Sequence, residues 1–393
     1  MQRTWTVDDF PVGFEQIHPD ESINFQLNRL YNFAGDPVLL TQLRRVAPNI
    51  RDFVSLVAEL IPLAEQAEED GELLRAAMCY RGAAFVTPAT DPHRRAWWSR
   101  FRELSDTWYG ITEDVRHEVS FGSITLPARR FTPEGKSRGT VVLMNGFDGY
   151  LEEFTRLMLV LRDAGYTVIA FDGPGQGELL ETVKAPMIPE WERPTAAVLD
   201  HFGLDDVTVI GCSLGGGLAV RAAAFEPRIT RVICFDVLPD LFSSLSQVVP
   251  SPVRALLRRV LPIGLGRAAV NFAVNSAAAR DPLVCWGIQQ GKLVMGVDDP
   301  FDFIRATLQF RTAPYSYRLT QDVLLMAGTT DHYVPIEHIY DQMATLTGVR
   351  SLTVRVFTQA ESASNHCQLG NLGLALRTML DWLDQTTQLA GSE

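Results

Sequence analysis

The stretch Val207-Thr208-Val209-Ile210-Gly211-Cys212-Ser213-Leu214-Gly215-Gly216-Gly217 decides how this chain folds. Val207–Ile210 is short, apolar and β-branched, as a buried strand should be. Leu214–Phe225 follows as an alanine-rich stretch that reads as a helix. Glycines on both sides of Ser213 let the chain turn sharply from strand into helix and leave the hydroxyl exposed at the bend. A serine placed there sits at a helix N-terminus, whose partial positive charge favours a developing oxyanion. The plainer alternative is a glycine-rich joint with an idle serine; the strand before it and the helix after it weigh against that.

Outward from this turn, further buried-strand runs occur at Thr140–Met144, Thr167–Phe171, Arg231–Phe235, Val323–Ala327 and Leu352–Phe357. Helical stretches lie between the strand runs, at Leu151–Ala164, Pro194–Phe202 and Ile336–Leu346 as well as Leu214–Phe225. That alternation predicts parallel βαβ units with helices on both faces of the sheet. Ahead of them, Val115–Phe121 and Ser123–Phe131 alternate apolar and polar residues around Gly122 and predict a hairpin. The rhythm breaks from about Leu238 to Thr320, a block of helices punctuated by Pro250, Pro252, Pro262, Pro282 and Pro300 with no buried strand. Lying between two strands of the sheet, it reads as a lid on the side where the strands end.

The first part of the chain reads as helical. Asp36-Pro37 and Asp91-Pro92 each supply an N-cap aspartate and a proline at the first helical position. Phe53, Val57, Leu60, Ile61 and Leu63 give Ile50–Ala67 one apolar face, and Pro62 is expected to kink or split that helix. Further helices are predicted over Gly71–Phe85 and Pro92–Trp108. The expected division is therefore an N-terminal helical cap segment (1–114), a first part of the core (115–237), a helical lid insertion (238–320) and a second part of the core (321–393).

Composition narrows the function classes. The chain has 393 residues, 46% hydrophobic and 21% charged, with a formal net charge of −12. That length suits a catalytic domain plus a substantial extra unit. The acidic balance argues against nucleic acid or an anionic membrane as partner, since phosphate would repel it. No run approaches the roughly 20 apolar residues of a membrane span. Met1–Asp9 lacks the apolar core and cleavage site of a signal peptide. The five cysteines, Cys79, Cys212, Cys234, Cys285 and Cys367, are odd in number and scattered, so neither a disulfide framework nor a zinc site is expected. A cytoplasmic location follows as the expectation.

A serine hydroxyl needs a base near neutral pH. In this arrangement the order along the chain is serine, acid, histidine. After Ser213 the histidines are His332, His338 and His366. His366, in the loop between Leu352–Phe357 and the last helix, is the expected base; His338 lies on a predicted helix and is expected to be solvated. The expected acid is Asp331, directly after Val323–Ala327, with a simple turn aspartate as the alternative reading. Asp236, at the end of Arg231–Phe235, is the fallback acid. Oxyanion donors are expected from the backbone N–H of Leu214 and, in the loop Asn145-Gly146-Phe147-Asp148-Gly149, of Phe147.

These residues resemble the α/β-hydrolase superfamily over roughly residues 115–386. The loop Asn145–Gly149 is similar to that family's His-Gly-x-x-Gly oxyanion loop, with Asn145 in place of the histidine, and Asp172-Gly173-Pro174-Gly175-Gln176-Gly177-Glu178 is similar to the turn after its fourth strand. With a long helical N-terminal segment, the chain resembles the branch of fungal polyketide-shortening pigment hydrolases and bacterial 2,6-dihydroxypseudooxynicotine hydrolase. The resemblance implies an α/β fold, an α/β-hydrolase sheet that is mostly parallel and flanked by helices. It implies hydrolysis of an ester or a ketone-adjacent C–C bond in an aromatic or polyketide-like small molecule, without metal or organic cofactor. It also makes Asp236 and Asp240 candidates for an additional acid. Arg75, Tyr80 and Arg81 are candidates for substrate contact from the cap, while Trp97, Trp98 and Trp108 are expected to pack between helices. Two other readings stay open: a non-hydrolytic acyltransferase or cyclase on the same fold, and a ligand-binding receptor. Helical caps of this kind also admit a homodimer.

Overall fold

The computed structural model describes residues 3–147 and 149–390, so Asp148 of the expected oxyanion loop and both chain ends lie outside the described residues. The strands are β1 (Arg116–Phe121), β2 (Ile124–Phe131), β3 (Thr140–Met144), β4 (Thr167–Phe171), β5 (Val207–Cys212), β6 (Ile229–Phe235), β7 (Asp322–Gly328) and β8 (Ser351–Phe357). They form one sheet in the order β1-β2-β4-β3-β5-β6-β7-β8. β1 and β2 form the expected hairpin, and β2 joins β4 antiparallel. From β4 through β3, β5, β6 and β7 to β8 every pairing is parallel.

Strand geometry sends alternate side chains to opposite faces. Along β3, Val141 and Leu143 enter one apolar cluster, while Val142 and Met144 enter the other. Both faces are therefore covered, and the strands read as unbroken apolar runs for that reason. On the second face pack the helix Glu192–Phe202 and the helix that follows Ser213. The helices of the core are α6 (Thr155–Asp163), α7 (Gly177–Thr182), α8 (Glu192–Phe202), α9 (Leu214–Phe225), α15 (Glu337–Thr345) and α16 (Leu372–Ala390).

Five helices precede the sheet: α1 (Glu21–Ala34), α2 (Pro37–Val46), α3 (Phe53–Glu69), α4 (Leu73–Val86) and α5 (Pro92–Tyr109). Asp36 and Asp91 cap α2 and α5 through their side chains, ahead of a first-turn proline in each. α3 runs unbroken through Pro62. The lost backbone bond costs about 3 kcal/mol, but Leu60 and Leu63 flank the proline and are buried against the same core, which holds the helix together. No apolar periodicity announces α1. Asn24, Gln26, Asn28 and Asn32 interrupt any apolar stripe along it, yet all are buried. The asparagines bond to backbone: Asn24 accepts from the N–H groups of Ile17 and His18 at 2.8 and 2.9 Å, and Asn28 exchanges bonds with Glu15, while Gln26 accepts from the Arg81 guanidinium at 3.3 Å.

The cluster that covers one sheet face also runs continuously through α1–α5. Between β6 and β7 lies the insertion, with α10 (Leu241–Leu245), α11 (Ser251–Val260), α12 (Arg267–Ala278), α13 (Pro282–Met295) and α14 (Pro300–Thr307). Its own core is small: Phe242, Leu261 and Phe301. Among the described residues, no helix is long and apolar enough to cross a membrane.

Candidate active site

β5 ends at Cys212, and Ser213 takes φ 59°, ψ −120° before α9 begins. Such backbone costs on the order of 1–3 kcal/mol for a non-glycine residue, and the surroundings hold it there. Ser213 N–H donates to the carbonyl of Phe235 at 2.8 Å, and Gly216 N–H donates to the carbonyl of Ser213 at 2.9 Å. A Cβ on Gly211 would stand 2.0 Å from the Gly215 carbonyl oxygen, and one on Gly215 would stand 2.6 Å from that of Asn145. Both flanking glycines are thus required by close backbone approach, which is what the spacing implied.

His366 follows β8 and faces the turn. Its Nε2 lies 2.8 Å from Ser213 Oγ, and its Nδ1 lies 2.6 Å from Asp331 Oδ2. Asp331, just after β7, uses its other oxygen to accept from the N–H groups of Tyr333 and Val334, each at 2.8 Å. It is therefore a turn aspartate and a histidine partner at once. Burial alone would lower the basicity of His366, but the Asp331 carboxylate outweighs it and leaves the imidazole well above its ordinary range. Burial likewise opposes ionisation of Asp331, and His366 together with the hydrogen bonds overcomes it, so this carboxyl is held below the usual range.

Asp236 stands directly after β6, with Oδ2 3.8 Å from His366 Nδ1. Asp240 is elsewhere: it caps α10 through Ser243 N–H and pairs with Arg258 at 2.7 Å. His338 is buried, contrary to the solvated position expected of it, with Nδ1 3.3 Å from Ser244 Oγ of the insertion. The predicted helix is present, and the insertion covers the face that carries the histidine.

The loop Asn145–Phe147 lies over the turn: a Cβ on Gly146 would meet the Cys212 carbonyl at 3.0 Å and Ser213 Cβ at 3.2 Å. Leu214 begins α9, so its N–H belongs to the open first turn of that helix. Asn145 Oδ1 accepts from Gly146 N–H at 2.8 Å. The support of this loop comes from a residue whose role sequence reasoning missed. Gln176 Nε2 donates to the carbonyls of Asn145 and Gly146 at 2.7 and 2.8 Å. Its motif was visible, but nothing along the chain shows that a side chain 30 residues away holds the loop.

The N-terminal helices reach this site through another missed residue. Phe25 of α1 makes ring contacts with His332, Tyr333 and His366 at centroid distances of 5.1, 5.3 and 6.2 Å. Below it, Glu153 accepts two bonds from Arg29 and one from Arg81, which is fully buried and also lies over the Phe85 ring. Arg81 thus anchors α4 to the loop after β3. Arg75 pairs with Asp36 and Glu72, and burial together with the Glu68 carboxylate raises the Tyr80 hydroxyl above its ordinary range, so the surroundings of these two belong to the cap. The insertion closes from the other side, with Trp286 Nε1 donating to the Phe85 carbonyl at 3.3 Å. Trp98 is buried and Trp108 packs on Trp5 and Tyr109.

Asp236, His366 and Cys367 offer three ligand atoms within 4.8 Å of one another. Both ring nitrogens of His366 already face Ser213 and Asp331, so a cation there would have to dismantle that chain. A cavity of about 360 Å³ between Tyr109, Asp114, His117, Arg130 and Arg162 lies by the amino-terminal side of the parallel strands. Ligands of open α/β sheets bind at the carboxyl ends, where Ser213 is.

The sequence profile described as alpha/beta hydrolase fold matches residues 139–368. A hydrolase from Fusarium sp. is 27% identical over 94% of this chain and 98% of its own length. The 2,6-dihydropseudooxynicotine hydrolase of Paenarthrobacter nicotinovorans is 32% identical over 62% of this chain and 68% of that protein. The crystal structure of the 2,6-dihydroxy-pseudo-oxynicotine hydrolase is similar with a TM-score of 0.59 at 22% identity, covering 90% of this chain and 94% of that one.

Proposed function

The chain belongs to the α/β-hydrolase fold family, and on that premise we propose that it is a serine hydrolase of an ester or a ketone-adjacent C–C bond in an aromatic or polyketide-like small molecule. The single observation that carries this reading is the unbroken chain of hydrogen bonds from Ser213 Oγ through His366 to Asp331. Ser213 attacks the carbonyl while His366 Nε2 takes its proton, and Asp331 stabilises the imidazolium. The Leu214 and Phe147 amides hold the oxyanion. His366 then returns the proton to the departing oxygen, or to the departing carbon where a C–C bond breaks next to a ketone. Water, activated by the same histidine, releases the acyl group.

The substrate class is supported by the aromatic rings beside His366, Phe25 from α1 and Tyr333. It is supported also by the likeness to a bacterial hydrolase named for a pseudooxynicotine.

Turnover of aryl esters and of aryl 1,3-diketones by wild type and Ser213→Ala tests the reading. The variant is expected to lose roughly 10⁶-fold in kcat with an unchanged melting curve; retained turnover would overturn the assignment. Because the base must be neutral to act, activity should fall as pH drops through the raised His366 value. The acid limb of kcat/KM should therefore lie above about pH 6.5, the ordinary histidine value. A limb below it would contradict the assigned Asp331–His366 pair.

A further inference from the structure

We propose that Asp236 is a positioning residue for the triad: a neutral carboxylic acid that donates a hydrogen bond to Asp331 and draws charge away from it. The inference rests on the serine-hydrolase reading for its purpose, though its geometry stands without it.

Two buried carboxyl groups crowd one ring N–H. Asp331 Oδ2 lies 2.6 Å from His366 Nδ1 and Asp236 Oδ2 lies 3.8 Å from it, so Asp331 takes the hydrogen and Asp236 is left beyond bonding distance. Both side chains are 1% exposed, and like charges this close in a dry site cannot both ionise. The proton goes where the anion is supported least. Asp331 has the imidazole and two backbone N–H groups at 2.8 Å. Asp236 has the Cys367 N–H at 3.0 Å and the Gln368 amide at 3.4 Å. A proton kept on Asp236 relieves the repulsion between two carboxyl groups that approach the same ring nitrogen.

The groups facing Asp236 are Asp331 from the loop after β7, His366 and Cys367 from the loop after β8, Cys234 in β6 and Cys212 in β5. Burial pushes the Asp236 carboxyl well above the usual range, the Asp331 charge pushes it further, and His366 only partly opposes them. Burial pushes both Cys212 and Cys234 up as well, so these thiols stay neutral.

The arrangement has a catalytic purpose. An undivided Asp331 charge would raise His366 so far that it would hold a proton at neutral pH and could not take one from Ser213. Sharing that charge with Asp236 moderates the rise while keeping the imidazole oriented. Asp236 keeps its own proton through the cycle; the proton that moves is the one passed between Ser213 and His366.

The test is titration of the His366 imidazole by NMR in the Ser213→Ala protein, which needs no turnover. Adding Asp236→Ala removes the donor and should raise the His366 midpoint by about one pH unit. Adding Asp236→Asn keeps a neutral donor and should leave the midpoint within about 0.3 units. A fall of a unit or more with asparagine would mean that a negative charge had been removed, and would overturn the proposal. So would an unmoved midpoint in the alanine variant, which would leave Asp236 a packing residue. If the alanine variant does not fold, the infrared carbonyl stretch of a buried neutral acid decides. It should be present at neutral pH in Ser213→Ala and lost on adding Asp236→Asn; its absence from Ser213→Ala would overturn the proposal. Activity lost or kept by Ser213→Ala bears on the hydrolase reading, while these titrations bear on Asp236 alone.

Discussion

Helices α1–α5 and helices α10–α14 both reach the strand ends that carry Ser213, Asp331 and His366, yet the outer helices of the second group are held far less firmly than any of the first. The N-terminal helices share one apolar cluster with a sheet face, and a buried network of Arg29, Arg81 and Glu153 ties them to the loop after β3. The insertion is divided: α13 and α14 place Val294, Met295 and Phe303 in the apolar cluster of the other sheet face, whereas its outer helices have no such anchor. No described residue of α11 or α12 is buried, and Val248 and Phe272 are 94% and 76% exposed. The N-terminal wall is therefore part of the folding core, and in the insertion α11 and α12 form a light outer cover over α13 and α14, which are themselves packed on the sheet. Changes in the first wall should cost stability and activity together, whereas changes in the outer helices of the second should cost almost nothing in stability.

The largest effect is expected at Glu153. Glu153→Ala removes the carboxylate from two arginines and should lower stability by about 3–5 kcal/mol, read from the denaturation midpoint at constant slope. A loss below about 1 kcal/mol would erase the distinction between the two walls. Phe25→Ala comes next. It opens a cavity beside His366 and should cost about 3 kcal/mol, with a fall in kcat/KM because the ring no longer packs against the triad histidine. Stability lost without any change in kcat/KM would detach α1 from the site. The smallest effect is expected in the insertion: Phe272→Ser should change stability by no more than about 0.5 kcal/mol. A destabilisation like that of Phe25→Ala would show that α12 is packed against something in solution.

The same contrast explains what could be read along the chain. The sheet was legible because β3–β7 are buried on both faces and announce themselves as short β-branched runs, with β8 half-buried at the edge. Ser213 was legible because the glycines around it answer to steric demands that leave a pattern, and His366 and Asp331 because they follow β8 and β7. α1 was hidden, since its asparagines are buried and bonded to backbone, and Phe25 was hidden with it. Gln176 and Glu153 act through contacts across sequence, which no local pattern encodes. Arg75 and Tyr80 were candidates for substrate contact as polar residues on a helix of the cap, but their partners belong to that cap. Pro62 carries a breaker's signal that tertiary packing overrides.

Reaction with a fluorophosphonate, followed by intact mass and peptide mapping, tests the activated serine most directly. One adduct on Ser213 is predicted, forming faster as pH rises through the His366 midpoint and lost in His366→Ala. An adduct on another residue, or equal labelling of the His366→Ala variant, would contradict the assignment of Ser213 and His366 as nucleophile and base.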